Sequence, residues 1–151
     1  MSLRARFTEE MKTAMKGGDK ARLAAIRMVQ AALKDRDIEA RGAGKEVSEE
    51  DILALLQKTV KNRQESLAMY EQAGREDLAA QERSEIAVIQ DFLPAQMSDD
   101  DVKAAIAAAI AETGAASMKD MGKVVAALKA KFTGQMDFAK ASALVKAALN
   151  G

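Results

Sequence analysis

Apolar residues recur every three or four positions along almost the whole chain, which is the period of an amphipathic α-helix. The series Leu3, Phe7, Met11 and Met15 is a first example. Capping residues such as Ser48, together with stops at glycine, divide this pattern into seven stretches. Strong helix formers dominate the composition, and there is a single proline. We therefore predict an all-α fold with seven helices.

The single proline, Pro94, divides these helices into two groups. Proline disfavours helix at the preceding residue and has no N–H group to donate. We predict an N-terminal helical domain of four helices (residues 1–93), a proline-containing linker (94–97) and a small three-helix C-terminal domain (98–151). The second domain is close to the lower size limit for a self-sufficient core.

The chain contains neither cysteine nor histidine, which excludes several kinds of site. Disulfides, zinc fingers and catalysis by cysteine–histidine or serine–histidine pairs all need one of these residues. Carboxylate sites for Mg²⁺ remain, but Asp99, Asp100 and Asp101 follow Ser98 at a helix start, and this position explains them fully. We predict no catalytic residue, no metal and no cofactor. No signal peptide or membrane-spanning stretch is visible, so we expect a cytoplasmic protein with no membrane partner.

Positive charge is concentrated near the C-terminus, although the formal net charge of the chain is +0. Six lysines and two aspartates lie between Thr113 and Gly151. This pattern suits a polyanion such as RNA, but it is equally typical of a solvated helix face. We place the start of the sixth helix at Ser117. Gly122 then falls inside that helix, where glycine costs up to about 1 kcal/mol relative to alanine, so it indicates close approach either by a phosphate or by a packed neighbouring helix.

A second group of polar residues lies in the N-terminal part. Arg63 interrupts the apolar stripe of the long third helix, as a helix-edge residue or as a polar group that reads a ligand. Glu82 and Glu85 are neighbours at i and i+3 on the next helix. We expect this carboxylate pair to lie at the surface and to be salt-linked to Arg83 or to Arg63.

Several motifs of the chain are similar to those of one known family. They are Gly18-Asp19-Lys20, Ala73-Gly74-Arg75-Glu76-Asp77-Leu78, Glu85-Ile86, Phe92-Leu93-Pro94 and Lys119-Asp120-Met121-Gly122-Lys123-Val124. On these motifs, which span essentially the whole chain, the sequence resembles the GatB/YqeY family and its small stand-alone YqeY-like proteins. That family in turn resembles the C-terminal tail of the B subunit of the tRNA-dependent amidotransferase.

The resemblance implies a helical N-terminal domain, a smaller three-helix C-terminal domain and a role near tRNA. In the amidotransferase, the tail is the part that approaches tRNA. By this analogy the candidate RNA-facing residues are Lys119, Gly122, Lys123, Lys129, Lys131 and Gly134. The resemblance also implies the label of a carbon–nitrogen ligase with glutamine as amido-nitrogen donor, but the side chains present supply no chemistry for it.

Two functional hypotheses follow. The first is a non-catalytic module that binds tRNA or associates with amidotransferase subunits. The second is a module for protein–protein interaction or self-association without an RNA role, whose contact patch would be Arg63, Arg75, Glu82 and Glu85.

Overall fold

The computed structural model describes residues 1–150, and these residues form helices, turns and loops without a β-strand. The all-α prediction is therefore confirmed. The helices are α1 (Leu3–Gly17), α2 (Lys20–Gly42), α3 (Glu49–Gln72), α4 (Glu76–Gln90), α5 (Asp99–Thr113), α6 (Met121–Phe132) and α7 (Phe138–Asn150), with a 3₁₀ turn at Met118–Asp120 before α6. No helix among the described residues is both long enough and apolar enough to cross a lipid bilayer.

The chain divides into two compact units, Met1–Leu93 and Pro94–Gly151. The first unit contains α1 to α4, and the second contains α5 to α7. Each unit has its own cluster of buried apolar residues.

The core of the first unit is built from the apolar stripes of its four helices. Phe7, Ile26, Leu56 and Ile89 contribute one fully buried side chain from each helix. The Phe7 ring also meets the Phe92 ring edge to face, with 4.9 Å between centroids. The predicted periodicity thus identifies the buried side of these helices, but the series predicted for α1 extends too far, because Met15 at its end is 53% exposed.

The core of the second unit is smaller, and it includes Ile106, Val124, Leu128 and Val145. The segment predicted as a linker, 94–97, is hydrogen-bonded within this unit. The Met97 N–H donates to the Gln135 carbonyl at 2.9 Å. The Gln96 side chain donates to the Gly134 carbonyl at 2.7 Å. These bonds attach the residues that follow Pro94 to the loop between α6 and α7.

Local capping chemistry accounts for most helix starts. The hydroxyls of Ser2, Ser48 and Ser98 each accept a hydrogen bond from a first-turn N–H group. The predicted cap at Ser117 is wrong, because its side chain makes no capping hydrogen bond. The Asp120 carboxylate instead accepts from the Ala116 N–H at 3.0 Å, and the intervening residues form the 3₁₀ turn.

Candidate nucleic-acid interface

Helix α6 positions most of the predicted RNA-facing residues. Val124 and Leu128 are fully buried and define the inward side of the helix. Residues on the opposite side are exposed, and we call this group the outer face of α6. It consists of Gly122, Lys123, Ala126, Lys129 and Ala130.

Gly122 lies in the first turn of α6 and is open to solvent. A Cβ atom built on this residue would meet nothing within 4 Å outside its own helix turn. Its φ is not in the left-handed region that favours glycine. Tight helix–helix packing, one of the two explanations that the sequence left open, therefore does not account for this glycine.

Two lysines flank Gly122 with their charges largely uncompensated. Lys119 is exposed in the 3₁₀ turn, about one helical turn before Lys123. The Lys123 ammonium is 4.0 Å from Asp120, and its side chain is 73% exposed. An exposed pair at this distance is worth little, so both cations remain available to an external anion.

Lys129 and Lys131 lie on opposite sides of α6, since two residues correspond to about 200° of rotation. The Lys129 ammonium sits over the Phe138 ring, 6.0 Å from its centroid, on the side of α7. The Lys131 ammonium is 2.9 Å from a carboxylate oxygen of Glu112, on the side of α5. Lys129 thus borders the outer face, whereas Lys131 points away from it and is paired.

Gly134 does not belong to the same exposed group. It is buried, its φ is 80°, and its carbonyl accepts the hydrogen bond from Gln96. A buried glycine in a left-handed turn has a structural reason of its own. Backbone geometry therefore explains Gly134, and its predicted contact with RNA stays a prediction.

Three residues of the proposed interaction patch come together in the first unit. Arg63 Nη1 lies 3.1 Å from Glu82 Oε1 and 2.9 Å from Glu85 Oε2. Its Nη2 contacts the sulfur of Met28 on α2. Glu82 is buried, and only 9% of its side chain is exposed. The cluster is therefore an internal link between helices and presents little area to a partner.

The fourth member, Arg75, is not part of this cluster. It is exposed and pairs with Asp77 two residues further on. Arg83, the other partner expected for the carboxylates, pairs instead with Glu71 and Glu76. Of the two partners predicted for Glu82 and Glu85, Arg63 is the correct one. The predicted surface position of the pair is wrong, because the Glu82 side chain is buried between helices.

A comparison with protein-family models identifies the family. The model described as Yqey-like protein matches residues 4–149. This chain belongs to the YqeY-like family. The match covers nearly all of both units, so the family assignment applies to the whole YqeY-like chain. No curated protein matches the sequence.

Three residues that determine the shape and charge of the candidate interface of this YqeY-like protein were not predicted from the sequence. Ala126 and Ala130 have small side chains, so the outer face of α6 is shallow between Lys123 and Lys129. Glu112 forms an ion pair with Lys131, which points away from this face. The helical spacing from Gly122 could have indicated the two alanines. The Glu112 contact joins residues 19 apart on different helices, and no local signal predicts it.

Proposed function

We propose that this YqeY-like protein is a non-catalytic RNA-binding module, with tRNA as its ligand, and that it binds through the outer face of α6 together with Lys119. One observation carries the proposal. Gly122 is open on its outer side, with no packing role, and it is flanked by exposed lysines that lack strong ion pairs. The resemblance to the amidotransferase tail supplies the identity of the RNA.

Electrostatics supports an anion at this position. The N-terminus of a helix carries partial positive charge, and its first N–H groups lack intrahelical partners. No side chain caps the start of α6, although the Met121 N–H donates to the Met118 carbonyl of the preceding 3₁₀ turn. The Asp120 carboxylate lies beside this start, where it accepts from the Ala116 N–H, so the two lysines must outweigh its charge. Because Gly122 has no side chain, a phosphate oxygen can approach the backbone there more closely than at any other residue type.

We also propose that the two units are separate domains of four and three helices. In this arrangement the second domain carries the RNA contact, and the first is available for association with amidotransferase subunits. The label of carbon–nitrogen ligase would then describe the enzyme system that the protein serves, not a reaction of this chain.

Binding of unfractionated tRNA across a salt series tests the RNA proposal. Each phosphate neutralised contributes a slope of about −0.7 to −0.9 to log K against log salt. If Lys119 and Lys123 each contact one phosphate, the Lys119→Ala/Lys123→Ala variant lacks about 1.4 to 1.8 units of slope. Between about 50 and 200 mM salt, the wild type should then lose roughly 7 to 12 times more affinity than the variant.

A matched control separates local contact from net charge. The Lys131→Ala/Lys140→Ala variant makes the same change in charge, but neither residue lies on the outer face of α6. Its salt slope should stay within about a third of a unit of the wild-type value. Equal tRNA binding by the Lys119/Lys123 variant and the wild type at low salt would refute the proposal.

A second candidate function, protein binding, is favoured by an apolar groove between α5 and α7. The groove is about 380 Å³ in volume, and its lining includes Ile106, Ile110 and Leu144. The Leu144 side chain in this groove is 37% exposed. Light scattering over a concentration series, with Leu144→Ser as the variant, tests self-association at this groove. A monomer at all concentrations would remove the self-association form of this candidate.

A further inference from the structure

The outer face of α6 has two charged edges, and their spacing restricts the form of RNA that fits. Lys123 and Lys129 are six residues apart, which corresponds to about 120° around the helix and about 9 Å along its axis. Gly122, Ala126 and Ala130 occupy the sector between these edges. The outer face of α6 therefore has one lysine at each edge, and we call these two edges its rims. Between the rims lies a strip of residues with small side chains or none.

Resting on the proposed function, we infer that this face binds base-paired RNA by contacting phosphates of both strands across the minor groove, without reading the base sequence. The minor groove of an A-form duplex is wide and shallow and is bordered by the phosphates of the two strands. A helix lying over it places one lysine rim near each strand. A flexible single strand has no fixed spacing between its phosphates, so it must lose conformational entropy to contact both lysines, whereas a duplex holds its phosphates in place.

The strip between the rims carries no group that distinguishes bases. Glycine and alanine side chains neither donate nor accept hydrogen bonds, and base identity is read by such bonds to base edges. Lysine contacts to phosphate fix position but carry no sequence information. The second unit contains no arginine, the side chain most often used for specific base contacts.

The aromatic side chains of this unit are already engaged. Phe132 and Phe138 are its two aromatic residues, and both pack against the buried cluster. The Lys129 ammonium also lies over the ring of Phe138. Recognition of single-stranded RNA depends on stacking bases on exposed aromatic rings. The outer face has no such ring to offer, which favours a duplex ligand.

Fluorescence anisotropy on the full chain tests this inference with three labelled probes at one low salt concentration. The probes are an RNA duplex of about 20 base pairs, a second duplex of scrambled sequence, and a non-pairing single strand of the same length. We expect the two duplexes to bind within about twofold of each other, and the single strand to bind about tenfold more weakly.

An Ala126→Trp variant should reverse the preference for duplex over single-stranded RNA. The indole adds a stacking platform to the strip, so single-strand affinity should rise by about tenfold. It also fills the space between the two rims, so duplex affinity should fall. Lys131→Ala is the control variant, and it should leave the ratio of the two affinities unchanged.

The possible failures are distinguishable. Single-strand binding as tight as duplex binding overturns the duplex inference but leaves the RNA proposal standing. A difference of more than about tenfold between the two duplex sequences overturns the claim that bases are not read. Absence of binding to all three probes, while unfractionated tRNA still binds, overturns this inference alone. Absence of binding to tRNA as well overturns the proposed function and the inference with it.

Discussion

Replacing Arg63 with methionine removes the guanidinium that lies between two carboxylates inside the first unit. Glu82 and Glu85 have side chains only 9% and 15% exposed, and Arg63 lies within 3.1 Å of both. Methionine keeps an unbranched chain that can occupy the same space beside Met28. The change therefore removes the positive charge while largely preserving volume, and it leaves two like charges close together in a poorly solvated position.

The expected cost follows from this burial. Removing one partner of a fully buried ion pair costs about 3–5 kcal/mol, because the remaining charge is left uncompensated. Arg63 is 29% exposed, so water relieves part of the penalty. We expect Arg63→Met to lower the free energy of unfolding of the first unit by about 2–4 kcal/mol.

Urea denaturation followed by tyrosine fluorescence measures this loss. Tyr70 is the chain's one tyrosine and lies on α3, the same helix as Arg63, so it reports on the first unit. Arg83→Met is the matched control, because Arg83 is 46% exposed and pairs only with surface carboxylates. Arg83→Met should lower the free energy of unfolding by at most about 1 kcal/mol.

A rescue variant separates charge from shape. Adding Glu82→Gln and Glu85→Gln to Arg63→Met removes the uncompensated charges, and it should restore more than half of the lost stability. The reasoning is refuted if Arg63→Met costs no more than Arg83→Met, or if the triple variant is no more stable than the single one. Either result would mean that solvent, not Arg63, compensates the two carboxylates.

Three further predictions concern single residues. Ser48→Ala removes the hydroxyl that caps α3 in a capping box with Asp51, and it should cost about 0.5–2 kcal/mol in urea denaturation. The hydrogen bond from Arg4 lowers the pKa of Asp37, so this carboxylate stabilises the fold above its unfolded pKa of about 3.9 and ceases to do so as pH falls through its folded pKa. The difference in melting temperature between wild type and Asp37→Asn should therefore be largest near pH 7 and vanish in acid; a constant difference across the range would contradict this. Gly122→Ala should raise stability by up to about 1 kcal/mol, because the added methyl meets open space, while weakening tRNA binding; an unchanged affinity would remove the role assigned to Gly122.

Features that depend on neighbouring residues were predictable from the sequence. The caps at Ser2, Ser48 and Ser98 follow from a hydroxyl placed before a run of helix formers. Ser117 stands before Asp120 in the same way, yet Asp120 bonds backward to the Ala116 N–H. Two side chains competing for nearby backbone groups make the outcome depend on small energy differences, and a spacing rule does not resolve them.

Features that depend on contacts between helices were not predictable to the same degree. From the sequence, both Arg63 and Arg83 remained as partners for Glu82 and Glu85. Arg83 shares α4 with both carboxylates at spacings of one and two residues, and side chains at these spacings do not face each other, so helical geometry already disfavours it. The packing of α3 against α4 was needed to show that Arg63 faces the carboxylates. Helical spacing alone places Lys129 and Lys131 on opposite sides of α6, but their contacts with Phe138 and Glu112 required the positions of α7 and α5.

The contrast between two glycines shows which residues carry functional information in a helical protein of this kind. Gly134 is buried with a φ of 80°, so backbone geometry alone accounts for its presence. Gly122 has neither a left-handed backbone nor a close neighbour, so folding gives no reason to prefer it over alanine. Gly17 and Gly42 also lack a close neighbour, but each is the last residue of its helix, whereas Gly122 lies in the first turn of α6 beside two exposed lysines. Departures from local preference without a packing reason are expected at functional sites. Because Gly122 lies between exposed cations at the start of a helix, the ligand that this position favours is an anion, and the proposed RNA phosphate is one.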